Sequence, residues 1–190
     1  MTPTVGALRI EPTDLPGCYE LFPKVFRDHR GCFVKTFHED SFVEAGLVGH
    51  FAEEYYSISR RRVLRGLHFQ VPPSDHVKLV YCIAGTVLDV VVDVREGSPT
   101  FGQHRTFTLN ARQRSLLYIP SGLAHGFYVL SANATLVYKT TSVHSPEHDT
   151  GIHWNSAGIR WPDRMPIVSE RDQTFPAMTE FRTPFRYRAP

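Results

Sequence analysis

The chain has 190 residues, of which 42% are hydrophobic and 21% are charged. This length and composition predict a single packed globular domain over 1–190 and exclude an intrinsically disordered chain. The formal net charge of +2 is too balanced to indicate a nucleic-acid-binding protein. The sequence contains no CxxC pair, signal peptide or long apolar run, so we expect a cytoplasmic protein without a membrane partner.

The hydrophobic pattern indicates an all-β protein with few helices. A helix is predicted first, over 39–47, where Phe42, Val43 and Leu47 form an apolar stripe. Short segments rich in β-branched residues follow, separated by typical turn residues. The predicted strands cover 51–59, 64–70, 77–83, 86–94, 104–109, 115–119, 126–130 and 135–141. Short strands at such close spacing favour a sandwich or barrel, and we expect the irregular tail 162–190 to pack on it.

An arginine and a histidine lie three residues apart around a glycine in the strand 64–70. Strict alternation would put Arg65 and His68 on opposite faces of the sheet. A glycine inside a strand often marks a β-bulge, and a bulge at Gly66 would turn both side chains into one cavity. Otherwise His68 is an ordinary core or surface histidine. Together with Arg60–Arg62, Arg65 indicates either a solvated turn or an anion site.

Two other polar residues stand among apolar neighbours in predicted strands. Lys78 lies either on the solvent face or in a polar pocket, where its ammonium group would stabilise a developing oxyanion. Tyr138 and Lys139 are adjacent and face opposite sides, so we expect one of them inside. A core tyrosine with a bonded hydroxyl is the alternative to a catalytic Tyr138.

His125 completes a Pro-x-Gly-x-x-His pattern that resembles the second motif of cupin proteins. In metal-binding cupins this histidine joins an earlier His-x-His pair and a glutamate. The corresponding stretch here is His68-Phe69-Gln70, which supplies only one histidine. We therefore expect no metal in the barrel.

In their order and spacing, these segments and several others resemble the dTDP-4-dehydrorhamnose 3,5-epimerase family. The matching segments are 28–31, 63–70, 78–80, 88–95, 97–102, 119–127, 137–139, 145–147 and 169–172. The resemblance implies a cupin-type jelly-roll β-barrel with short peripheral helices. It also implies a homodimer that exchanges N-terminal strands, from about 1–60, a nucleotide-sugar substrate, and no metal or organic cofactor.

The resemblance implies roles for individual residues by position. His68 matches the position of the catalytic base, and Asp172 matches that of its carboxylate partner. Lys78 matches the enolate-stabilising residue, and Tyr138 matches the acid. The substrate-binding positions are matched by Arg30, Phe33, Lys35, Glu53, Tyr55, Arg65, Gln70, His125 and His144. Arg65 and His125 resemble residues that line the sugar-diphosphate site. Arg30 resembles an arginine that reaches phosphate from the partner subunit.

The implied reaction, epimerisation of a 4-keto-6-deoxyhexose, fits these residue types. A ketone at C4 acidifies the protons at C3 and C5, and a neutral histidine can remove such a proton near pH 7. An aspartate bonded to the other ring nitrogen fixes the tautomer and stabilises the imidazolium. A lysine beside the C4 oxygen stabilises the enolate, and a tyrosine across the cavity delivers a proton to the opposite face.

Three places depart from the family pattern. Lys35 replaces a glutamate, Glu53-Glu54-Tyr55 replaces Gln-x-Asn, and His144 replaces a tyrosine. The first two changes indicate either an exposed edge strand or altered base recognition. Lys35 with Glu53 nearby would suit cytosine, so a CDP-linked substrate is an alternative to a dTDP-linked one. His144 leaves open whether C3, C5 or both are inverted.

Two further function classes compete with the epimerase. A metal-dependent cupin enzyme would use His68 and His125 as ligands, and stoichiometric iron, manganese or zinc in the purified protein would favour it. A non-catalytic sugar-binding cupin would keep the pocket but incorporate no solvent deuterium into a 4-keto sugar. The complete set of His68, Lys78, Tyr138 and Asp172 favours an isomerase over this binder.

Overall fold

Antiparallel strands dominate the computed structural model, which describes residues 4–6 and 8–189. The strands are β1 (Thr4–Val5), β2 (Leu8–Pro12), β3 (Tyr19–Pro23), β4 (Val25–Asp28), β5 (Gly31–Val34), β6 (Glu53–Arg60), β7 (Leu64–Gln70), β8 (Lys78–Ala84), β9 (Thr86–Asp93), β10 (His104–Asn110), β11 (Leu116–Ile119), β12 (Leu123–Val129), β13 (Asn133–Thr140) and β14 (Asp149–Gly151). Short helices over these residues are α1 (Glu39–Glu44) and α2 (Glu170–Gln173).

Two antiparallel sheets form the jelly-roll predicted from the sequence. The seven-stranded sheet has the order β1-β2-β3-β11-β8-β13-β6, and the five-stranded sheet has the order β10-β9-β12-β7-β14. β4 and β5 form a separate hairpin. β7 and β8, which follow each other in sequence, therefore lie in different sheets and form opposite walls of the barrel.

Apolar side chains from both sheets fill the space between them. Val80 and Leu136 of the seven-stranded sheet pack with Val91 and Phe127 of the five-stranded sheet, and all four are buried. Burial of each such side chain contributes about 1.5–3 kcal/mol to folding. Asp89 shares a strand face with Val91 and therefore points into this interior, where a carboxylate requires a partner.

The C-terminal segment covers the outer face of the five-stranded sheet. Phe185 is buried there and packs edge-to-face on Phe69 of β7, with ring centroids 5.7 Å apart. The segment is irregular except for α2, whose N-cap Ser169 accepts a hydrogen bond from Asp172 N at 3.2 Å. This cap fixes the short helix that carries Asp172 towards β7.

The predicted and observed elements differ mainly at their ends. The strand predicted over 64–70 has the bounds of β7, and the others correspond to β6 and β8 to β13 with shifted ends. The helix predicted over 39–47 ends at Glu44 in the structure. It ends there because Gly46 takes a left-handed backbone conformation, with φ at 73°, in which a helix cannot continue. None of the helices in the described part of the chain is long and apolar enough to cross a membrane.

Candidate active site

A cavity of about 380 Å³ opens between the two sheets. The residues expected from the sequence that line it are Glu53, Tyr55, Arg65, His68, Gln70, Lys78, His125, Tyr138 and His144. Further lining residues that the sequence had not singled out are Ser57, His76, Phe127, Thr140, Asp149 and Arg171. The cavity therefore gathers residues from both walls of the barrel.

The bulge expected at Gly66 is confirmed. His68 pairs with His125 and Arg65 pairs with Phe127, so β7 holds one residue more than β12 over this stretch. Gly66 has φ at 133°, and a Cβ there would lie 2.6 Å from Gly126 Cα. Glycine therefore permits both the backbone conformation and the close approach of the strands that turn Arg65 and His68 into the cavity.

His68 and Asp172 form a hydrogen-bonded pair at the cavity wall. The His68 Nε2 to Asp172 Oδ1 distance is 2.8 Å, and the Gly66 N–H donates to Asp172 Oδ2 at 3.1 Å. Asp172 is buried, whereas the His68 side chain is 24% exposed. Because Nε2 faces the carboxylate, Nδ1 is the ring nitrogen left for a ligand in the cavity.

The environment of this pair favours a neutral imidazole beside an ionised carboxylate. Burial lowers the pKa of His68 below its usual value, although Asp172 raises it, and Lys78 and Arg171 lower it further. Burial raises the pKa of Asp172, but the hydrogen bonds from His68 and Gly66 outweigh it and lower that pKa to about 2. A neutral ring at neutral pH is the form that can accept a proton.

Arg171 contacts the same pair from α2. Its Nη2 lies 3.1 Å from His68 Nε2, its Nε lies 3.4 Å from Asp172 Oδ1, and its Nη1 binds Asp149 of β14. A neutral imidazole nitrogen either donates or accepts, so Arg171 and Asp172 compete for His68 Nε2. The adjacent charges in Glu170–Asp172 were the sequence signal that could have identified Arg171.

Lys78 points into the cavity rather than to solvent. The side chain is buried, and its Nζ donates to His68 O at 3.1 Å. Burial lowers the pKa of Lys78 to about 8, while Asp149 and Asp89 oppose that shift. The ammonium group is thus available near pH 7, with little solvent to screen its charge.

Tyr138 faces the cavity from β13, and its neighbour Lys139 faces away and binds Glu54. The Tyr138 hydroxyl lies 3.2 Å from Ser57 Oγ, and the Tyr138 ring stacks on Tyr55 with ring centroids 4.9 Å apart. Burial raises the pKa of Tyr138, so the phenol keeps its proton. A protonated, oriented phenol can act as an acid.

A second histidine–aspartate pair lies deeper in the barrel. His125 Nε2 lies 2.9 Å from Asp89 Oδ2, and both side chains are buried. Burial raises the pKa of Asp89, although His125 lowers it. His68 and His125, the two ligands of the metal-cupin hypothesis, are therefore each bound to a carboxylate. Among the described residues, 4–6 and 8–189, no three or more potential metal ligands form a group that could hold a metal ion.

Two of the departures from the family pattern contact each other. The His144 backbone N–H donates to Glu53 Oε2 at 2.8 Å.

The side-chain amide of Gln70 is bound to neighbouring loops of the same chain. Its Oε1 accepts a hydrogen bond from Ser145 N at 2.6 Å, and its Nε2 donates one to Ser74 O at 2.7 Å.

Three residues expected at the substrate site lie outside this cavity. Arg30 and Phe33 are on the exposed hairpin β4–β5, where the Phe33 side chain is 61% exposed. Lys35 lines a separate cleft of about 270 Å³ together with Lys24 and Phe42. Within one chain, Lys35 and Glu53 therefore do not share a site.

Known proteins of one family are similar to this chain along most of its length. The family model described as dTDP-4-dehydrorhamnose 3,5-epimerase matches residues 12–180. The chain belongs to the dTDP-4-dehydrorhamnose 3,5-epimerase family. The dTDP-4-dehydrorhamnose 3,5-epimerase of Shigella flexneri is 42% identical over 168 residues, covering 87% of this chain and 93% of that protein.

Other members of the family are similar along most of the chain. The crystal structure of a Legionella pneumophila dTDP-6-deoxy-D-glucose-3,5-epimerase, in complex with dTDP-4-keto-L-rhamnose, superposes with a TM-score of 0.91 at 36% identity. The superposition covers 96% of this chain and 100% of the Legionella pneumophila chain. A dTDP-4-dehydrorhamnose 3-epimerase of Streptomyces niveus is 37% identical, covering 92% of this chain and 86% of that protein. The similar proteins thus include both 3,5- and 3-epimerases.

Proposed function

We propose that this protein epimerises a dTDP-linked 4-keto-6-deoxyhexose at C3, C5 or both, in deoxysugar biosynthesis. The observation that carries the proposal is the His68–Asp172 pair, with its 2.8 Å hydrogen bond, in a cavity shared with Lys78 and Tyr138. The family membership supports the substrate class. The ketone of the substrate activates the carbon acid, so the chemistry calls for no organic cofactor.

The first step is removal of a proton from the carbon next to the ketone. His68 Nδ1 accepts this proton, because Nε2 is directed at Asp172. The resulting imidazolium is stabilised by the Asp172 carboxylate, which remains ionised. The electron pair of the broken C–H bond moves into an enolate whose negative charge is on the C4 oxygen.

Lys78 is proposed to stabilise that oxygen. Its ammonium group is buried in the same cavity and held by His68 O, so it is positioned before charge develops. Preorganised groups of this kind typically lower a barrier by about 3–4 kcal/mol.

Tyr138 completes the inversion by donating its hydroxyl proton to the opposite face of the enolate carbon. It comes from the seven-stranded sheet, whereas His68 comes from the five-stranded sheet. The step leaves an imidazolium and a tyrosinate, and exchange of protons with solvent restores both groups. Arg65 and His125, in the same cavity, are proposed to bind the sugar diphosphate.

We further propose that the working form is a homodimer in the cytoplasm. The exposed hairpin β4–β5 carries Arg30 and Phe33 away from this chain's own cavity, which supports their use in a partner's site. Cys18, Cys32 and Cys82 are all free, which fits a reducing compartment.

The test is proton NMR of dTDP- and CDP-linked 4-keto-6-deoxyglucose incubated with the protein in heavy water. We expect deuterium at C3, C5 or both of the dTDP-linked sugar, together with inversion. Preference for the CDP-linked sugar would indicate altered base recognition. Absence of exchange would contradict the epimerase and favour a sugar-binding cupin, and dependence on added iron, manganese or zinc would favour a metal-dependent enzyme.

A further inference from the structure

His76 lines the substrate cavity but takes no part in the proton transfers described above. It lies two residues before Lys78, just ahead of β8. His76 and Lys78 both line the cavity, so their side chains are directed into the same space. The ring therefore stands next to the proposed oxyanion-stabilising group.

One nitrogen of the His76 ring is held by neighbouring loops. Nδ1 lies 3.2 Å from Gln70 Nε2 and 3.1 Å from Ser142 Oγ. Gln70 is fixed in turn by Ser74 O and Ser145 N. These contacts orient the imidazole and occupy its Nδ1.

The other nitrogen, Nε2, is buried and has no hydrogen-bond partner within the described parts of the chain. An unpaired buried polar atom is destabilising, so its retention in a ligand cavity calls for a partner in the working state. Burial lowers the pKa of His76 to about 3, and Lys78 and His144 lower it as well. The ring is therefore neutral near pH 7 and does not repel the Lys78 ammonium group.

We propose that His76 Nε2 binds a hydroxyl group of the bound nucleotide sugar. A hydroxyl both donates and accepts, so it pairs with Nε2 in either tautomer, whereas a phosphate oxygen only accepts. The identity of the ligand rests on the function proposed above, in which the hexose and the deoxyribose both carry hydroxyl groups. His76 is thereby a substrate-binding residue that orients the sugar nucleotide beside Lys78.

The test compares His76→Phe, which keeps a planar ring but removes Nε2, with the matched control His148→Phe. His148 Nδ1 binds Ser74 and Ser145 of the same loops, but His148 does not line the cavity. Calorimetric titration with dTDP and with dTDP-glucose measures binding without turnover. A wild-type protein that binds these ligands but exchanges no deuterium would therefore contradict the proposed function alone.

A hexose contact predicts that His76→Phe weakens dTDP-glucose about 3- to 10-fold and leaves dTDP unchanged. A deoxyribose contact predicts that both ligands weaken equally, while the affinity for 3′-deoxy-dTDP stays the same. In either case KM for the 4-keto sugar rises and kcat changes little. His76→Gln, whose amide both donates and accepts, is expected to restore binding.

The proposal is overturned if folded His76→Phe binds all three ligands like the wild type. An equal loss in His148→Phe, or a loss for 3′-deoxy-dTDP, would also overturn it, because these results indicate a structural or phosphate role. Should His76→Phe fail to fold, His76→Ala replaces it under the same criteria.

Discussion

His68 and Tyr138 reach one cavity from opposite sheets of the jelly-roll. Inversion at carbon needs a proton to leave one face of the sugar ring and another to arrive at the opposite face. A base and an acid on the same wall would return the proton to the face it left. Because β7 and β13 lie in different sheets, the fold places the proposed base and acid on opposite sides of the cavity, as the proposed inversion requires.

Replacement of Tyr138 by Phe separates the two half-reactions. Removal of the proton by His68 survives, but delivery from the opposite wall does not. We expect Tyr138→Phe to retain deuterium exchange and to lose inversion by roughly 100- to 10,000-fold. NMR of the sugar in heavy water measures both quantities in one sample, and an equal loss of exchange and inversion would contradict the role of Tyr138 as acid.

Replacement of Asp172 by Asn tests the orientation of the base. Asn keeps a carbonyl oxygen for Gly66 N or His68 Nε2, so the fold should persist, but it cannot stabilise an imidazolium. We expect kcat to fall by about 100- to 10,000-fold with little change in dTDP affinity. A kcat close to that of the wild type would show that the carboxylate is dispensable.

The pH profile should report His68 and Lys78. Burial depresses the pKa of His68, so the base stays neutral and activity persists somewhat below pH 6.5 before protonation removes it. Lys78 has a pKa lowered to about 8, so the ammonium group, and with it the rate, should decline above that pH. Measurement of kcat/KM against pH tests both limbs.

Lys78→Arg is the matched variant for the alkaline limb. Arginine keeps its charge at every pH used in such an assay, so we expect lower activity without the decline above pH 8. An alkaline limb that is unchanged in Lys78→Arg would assign the limb to another group.

Mixed subunits test whether the hairpin β4–β5 serves a partner's cavity. Arg30→Ala and His68→Ala are each expected to be inactive as pure proteins. If Arg30 acts in the partner's site, co-refolding the two variants should restore up to about a quarter of wild-type activity, because one of the two sites in each mixed dimer is then intact. No recovery in mixtures that sediment as dimers would contradict this exchange.

Local sequence patterns were sufficient where the determinants were local. Gly66 between Arg65 and His68 predicted the bulge because glycine alone accepts the backbone conformation there. Strand β5 was not predicted, because three of its successive residues are exposed and it therefore lacks the alternation of buried and exposed residues that indicates a strand.

Contacts between distant segments were beyond local reasoning. Asp172 could be linked to His68 only through the family resemblance, since nothing in the spacing indicates that α2 lies against β7. His76 and Arg171 were overlooked because a loop histidine and a helix arginine are usually solvated. The family resemblance predicts that Lys35 lies near Glu53, but within one chain the two residues line different cavities.

The central claim is that His68 removes a carbon-bound proton, and deuterium exchange by His68→Asn tests it most directly. The protein is incubated with dTDP-4-keto-6-deoxyglucose in heavy water, and C3 and C5 are followed by NMR, with dTDP binding as the measure of an intact site. We predict normal dTDP binding and loss of deuterium uptake at every position that the wild type labels. Uptake at the wild-type rate in this variant would contradict the mechanism.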